Sequence, residues 1–147
     1  MTDTATPLGR LLGLPWEEKW QLAALTLLLP AVDLHLRQRG LQATQRRLRR
    51  LRGNSAPRPT AASDIARAQQ LARLAAIAGK RGLYANTCLR QALVVHWWLR
   101  RRGLPAELVI GAQPGHGELD AHAWVELRGV ALAQHRALPP ELVRFTD

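Results

Sequence analysis

The sequence predicts an α+β fold, with helices first and a short antiparallel sheet after them. Three observations carry this. Apolar residues recur at helical spacing between Trp16 and Ile77, and more densely between Leu89 and Leu99. The period then changes: residues 106–112, 121–127 and 130–134 read as short strands separated by turn residues. The two kinds of element are segregated along the chain rather than alternating, which selects α+β over α/β. With 147 residues, 47% apolar and 22% charged, the chain can bury a core and is neither disordered nor fibrous.

Each element has its own signal. Pro15 ahead of Trp16, Glu17 and Glu18 marks a helix N-terminus. Pro30 is expected to kink or end that helix. A second segment, 31–38, stops at Gly40, and a third, 41–52, carries leucines on one side and arginines around the other. Residues 53–59, with Gly53, Pro57 and Pro59, read as a linker. Ser63 is the expected N-cap of the next helix, which Gly79 or Gly82 closes. Another helix runs from Asn86 and Thr87 to Arg102 and ends at Gly103; it has almost no polar face, so it should be buried. Residues 113–119 form a loop, Arg128 and Gly129 mark a hairpin, and no structure is expected of the tail from Arg136. The predicted organisation is a helical, arginine-rich subdomain over 1–55, a linker over 56–62 and an α+β domain over 63–147.

Net charge is +10, and it is concentrated. Between Asp33 and Asp64 stand eight arginines (Arg37, Arg39, Arg46, Arg47, Arg49, Arg50, Arg52 and Arg58) and no acid. Such a stripe suits a polyanion, an acidic partner or a membrane surface, or is simply a solvated face. The helix at 41–52 lacks a helix-turn-helix, zinc finger or aromatic stacking face, so no nucleic acid is expected as partner. The stretch Leu22 to Val32 is too short and too interrupted to span a bilayer. The start, MTDTATPLGR, does not read as a signal peptide, so none is expected, and one cysteine excludes an internal disulfide or a cysteine-cluster zinc site; a reducing cytoplasm fits.

That cysteine, Cys88, falls in the first turn of the buried helix, where unpaired N–H groups favour a thiolate. Asn86 and Thr87 before it end a loop, which leaves it reachable by substrate. A thiol nucleophile needs a base. His96 is more than two turns away on the same helix, His35 lies in the N-terminal helices and His116 in a glycine-rich loop. His122 opens a strand, with Trp124 on the same face to shield it from water. For the hairpin, a three-residue loop of Leu127, Arg128 and Gly129 pairs Glu126 with Val130 and brings Gln134 opposite His122; a two-residue loop brings His135 there instead. The first register is preferred because it gives Gly129 a reason to be glycine. Gln134 then accepts a hydrogen bond from the imidazole.

The runs Thr87-Cys88-Leu89-Arg90-Gln91-Ala92-Leu93, Trp98 to Gly111 and Ala121-His122-Ala123-Trp124-Val125-Glu126 resemble the transglutaminase-like cysteine proteases of lasso-peptide biosynthesis, in their stand-alone leader-peptidase form. The resemblance covers about residues 63–135. It implies a papain-like core, a buried central helix packed on a short antiparallel sheet, with a Cys–His–Asp triad. Cys88 matches the nucleophile and His122 the base. At the family's aspartate this chain has Gln134; Asp120 is the substitute, and Glu126 a weaker one. The backbone N–H of Cys88 contributes to an oxyanion hole.

The implied activity is removal of the leader from a precursor peptide delivered by a separate leader-binding protein, with an ATP-dependent lasso cyclase acting next. Trp16 and Trp20 are candidate anchors for that protein. No cofactor and no metal are implied. The rival readings keep the fold as an inactive or acyl-transferring scaffold, or make the chain a basic nucleic-acid or membrane-surface module.

Overall fold

The computed structural model describes residues 13–80, 88–114, 119–132 and 143–146. Three helices, α1 (Trp16–Arg52), α2 (Ala62–Lys80) and α3 (Cys88–Arg101), precede four strands, β1 (Ala106–Pro114), β2 (Leu119–Leu127), β3 (Val130–Ala131) and β4 (Val143–Thr146). The sheet is antiparallel in the order β3-β2-β1-β4. The fold is therefore α+β, as the segregation of periods predicts.

Pro30 does not end the first helix. α1 runs through it, and the break comes at Gly40, in the left-handed region at φ 77°. The proline is exposed, so the carbonyl deprived of its N–H partner is within reach of water. The helix is held on both sides of it by Leu25, Leu29 and Val32, which share one buried stripe. These three belong to the same apolar cluster as Leu71 and Leu74 of α2, Leu93, Val94 and Leu99 of α3, and Leu108, Val125 and Leu127 of the sheet. The N-terminal helix thus shares one core with the sheet.

α2 starts two residues earlier than an N-cap at Ser63 predicts. Asp64 reaches back instead, accepting the Ala61 N–H at 2.8 Å. Arg58 grips the same carboxylate through two nitrogens at 2.8 and 2.9 Å, and with the Ala61 bond this holds Asp64 down at about 2. The connecting stretch is anchored rather than free. Ser55 donates to the Arg101 carbonyl, and Arg58 Nε to that of Arg102. Both cap the exposed end of α3. Gly103, at φ 77°, closes that helix with the paired bonds of Gly103 N–H to Arg100 and Leu104 N–H to Leu99.

The hairpin between β2 and β3 corrects the expected register. Leu127 pairs with Val130 and Glu126 with Ala131, so the loop has two residues. Arg128 (φ 53°) and Gly129 (φ 76°) both take the left-handed conformation, the primed turn whose twist matches that of the strands. Leu127 is fully buried, which keeps it in the strand rather than the loop. The three-residue loop that sets Gln134 opposite His122 is therefore not the one formed; Gln134 itself lies outside the described residues. β1 and β2 also extend further into 113–119 than expected, to Pro114 and from Leu119. β4 was not foreseen: it pairs with the outer edge of β1, Val109 opposite Thr146 through Ala112 opposite Val143.

Candidate active site

Cys88 is the first residue of α3, and it is half-buried and free. From there the helix enters the core. Ala92, Leu93, Val94, Val95 and Leu99 are buried, and α3 packs on both β1 and β2. The expected helix is borne out over Cys88–Arg101; Asn86 and Thr87, where it is expected to open, lie outside the described residues.

His122 lies within β2, half-buried, opposite Gly111 of β1. Its ring stacks on that of Trp124, with centroids 5.8 Å apart and planes 23° from parallel. Strand alternation explains the pair, since residues two apart share a face. Trp124 is 2% exposed, so one side of the imidazole rests on an apolar wall. The indole Nε1–H donates to Glu126 Oε1 at 2.9 Å. A row of three side chains on one face results, with a largely buried carboxylate at its inner end. Glu126 therefore has a definite place, as acceptor for the indole that backs His122.

The same alternation places this row on the opposite face from Ala123, Val125 and Leu127, which belong to the apolar cluster under the helices. Val109 and Trp124, opposite each other in the ladder, are buried but stand outside that cluster. Gly111 adds a feature that motif reading passed over. It is the strand partner of His122 and contributes no side chain at that position of the β1–β2 ladder.

Asp120 is in β2, opposite Gln113 and two residues before His122. Asn86 and Gln134 lie outside the described residues. Trp16 and Trp20 are 78% and 57% exposed, although Trp20 meets Trp98 edge-on at 6.1 Å. One buried ion pair was not anticipated. Arg90, 4% exposed, reaches Asp33 of α1 at 3.5 Å, while its Nε has no partner. Arg90 follows Cys88 by two residues, about 200° around the helix, so it braces α3 against α1 rather than facing the thiol. Among the described residues no group of three His, Cys, Asp or Glu side chains could hold a metal ion. No helix among them is long and apolar enough to cross a membrane.

Fold and site together define a class: an α+β protein whose single thiol opens a buried helix packed on a sheet that carries a histidine. The chain belongs to the transglutaminase-like superfamily, whose family model matches residues 28–146. The match begins inside α1 and ends with β4, so it takes in most of the first helix and the whole sheet. No curated protein and no solved structure is detectably similar to the chain.

Proposed function

We propose that this protein is a cysteine peptidase that removes the leader segment from a lasso-peptide precursor, with Cys88 as nucleophile and His122 as base. The observation that carries the reading is the pairing of elements. The helix that begins with the only thiol packs on the strand that holds a stacked histidine.

Lengths along the layer support it. The tight turn after α3 makes the helix and β1 antiparallel neighbours. Cys88 lies about 20 Å back from the end of α3, and Gly111 about 17 Å along β1 from its start, so thiol and His122 belong to the same end of the layer. His122 is on the face away from the apolar cluster, so the reading requires the thiol to reach the imidazole around that end, past Gly111, and not through the core. The motifs around both residues resemble those of lasso-peptide leader peptidases, which supports the choice of substrate. A separate leader-binding protein delivers the precursor, the exposed Trp16 and Trp20 are surfaces suited to it, and an ATP-dependent cyclase uses the freed amine. This is a cytoplasmic setting.

In the reaction, Cys88 Sγ attacks the last leader carbonyl, and an S–C bond forms. The Cys88 N–H donates to the developing oxyanion. The imidazolium of His122 protonates the leaving amine as the C–N bond breaks. Water, deprotonated by His122, then opens the thioester and releases the leader carboxylate and the thiol. Gln134 or Asp120 orients the imidazole.

The test is incubation with a precursor peptide and its leader-binding protein, followed by mass spectrometry. Wild type should yield leader and core of hydrolytic mass. Cys88→Ala and His122→Ala should yield neither. Cleavage by Cys88→Ala would remove the nucleophile assignment, and a leader joined to an added amine would make the protein an acyl transferase instead.

A further inference from the structure

α1 bends at Gly40, and its concave side is a groove of about 620 Å³. Arg39 lines it from before the bend, and Arg46, Arg47 and Arg50 from after it, with His35 and the half-exposed Leu51 between them. None of these four guanidiniums has an ion pair or a side-chain hydrogen bond among the described residues, whereas Arg37 nearby is held by Asp33 at 2.9 Å. Arg46 and Arg50 are one turn apart, so their charges repel along the helix. No acid between Asp33 and Asp64 relieves this.

The shape of the groove is set from below. Thr44, 2% exposed, donates its hydroxyl hydrogen to the Gly40 carbonyl at 2.8 Å. His35 Nδ1 lies 3.0 Å from the same hydroxyl and must supply the proton of that bond. The bend is thus tied by a hydrogen-bonded chain across the two halves of the helix, and the arginines project from a preformed concavity.

We infer that this groove binds an acidic segment of a partner polypeptide. Charge selects an anion. Shape selects carboxylates on a flexible chain over duplex nucleic acid, because a concave crook on one helix cannot enter a DNA groove, while it can enclose a few side chains. Guanidinium forks match carboxylates in pairs, and Leu51 offers an apolar contact between them. The inference stands whether or not Cys88 is a nucleophile.

Fluorescence anisotropy of the full chain with a fluorescein-labelled peptide rich in Glu and Asp, with interspersed Leu, tests it. A peptide of the same length with Gln and Asn in place of the acids is the reference. The acidic peptide should bind, more weakly as salt rises, and the reference should not. Arg46→Gln with Arg47→Gln should weaken binding by about tenfold or more, as expected for two charge-assisted contacts. Arg67→Gln with Arg73→Gln removes the same charge from α2 and should leave affinity unchanged. Equal losses in the two double variants would reduce the effect to net charge and overturn the proposal. Tighter binding of duplex DNA, or of phosphatidylglycerol vesicles, than of the acidic peptide would overturn it as well.

Discussion

Trp124→Phe separates the two things this indole does. Phenylalanine keeps a ring beside His122, where the stack spans 5.8 Å, but removes the Nε1–H that reaches Glu126 at 2.9 Å. Glu126 is only 9% exposed, so water replaces the lost donor poorly. A hydrogen bond to a buried charged acceptor contributes roughly 1.5–3 kcal/mol, and for a chain of this size that corresponds to a fall in melting temperature of about 4–8 °C. The measurement is urea unfolding followed by circular dichroism for Trp124→Phe, Glu126→Leu and the double variant. The two single losses should not add, because each breaks the same bond; a coupling of about 1 kcal/mol or more is expected. Peptide cleavage, if it depends on the apolar wall behind His122, should survive Trp124→Phe and fall in Trp124→Ala. Additive losses would show that the indole–carboxylate bond contributes nothing. Equal activity in the Phe and Ala variants would show that the wall does not matter to the histidine.

Other outcomes follow from single contacts. Gly103→Ala should destabilise by well over the 1–2 kcal/mol of a left-handed alanine, because the new Cβ runs into the Ala56 carbonyl oxygen. Gly53→Ala, at a similar φ but with nothing within 4 Å, should cost only the conformational part, so matched melting curves isolate the clash. Asp33→Asn should unfold at lower urea than Arg37→Gln, since it strips the buried Arg90 of its partner, a loss of about 3–5 kcal/mol for a buried pair, whereas Arg37 is a surface pair. Asp64 is held down by Arg58 and the Ala61 N–H, so its contribution is complete above the ordinary carboxylate range and is lost as pH falls from about 4 through about 2. Acid titration of stability should show that component in wild type and not in Asp64→Asn; identical acid limbs would contradict it.

Local signals carried much of the fold. The dense apolar run from Leu89 to Leu99 indicated burial before any contact was known, and α3 is buried. Gly103 marked its end because the closing turn needs a left-handed residue, and φ there is 77°. Trp124 was placed beside His122 by strand alternation alone, and the rings stack. The hairpin went the other way. Gly129 was expected to be the only left-handed residue, whereas Arg128 joins it, because the choice between a two- and a three-residue loop depends on keeping Leu127 in the core. The buried Arg90–Asp33 pair was equally out of reach, since its partners are 57 positions apart in the chain.

The order of helices before strands, the buried helix with the only cysteine in its first turn, the left-handed closures and the arginine run were all legible in the chain itself, as features set by periodicity, dihedral preference or composition within a dozen residues. Tertiary structure decided that α1 continues through Pro30 to the break that Gly40 marks, that β4 covers the edge of β1, and that the connection at 53–61 is tied to the end of α3. It also decided the hairpin register. In each of these the chain had several locally acceptable conformations. The one adopted is the one in which distant residues bury leucines and satisfy backbone groups that no nearby partner can reach.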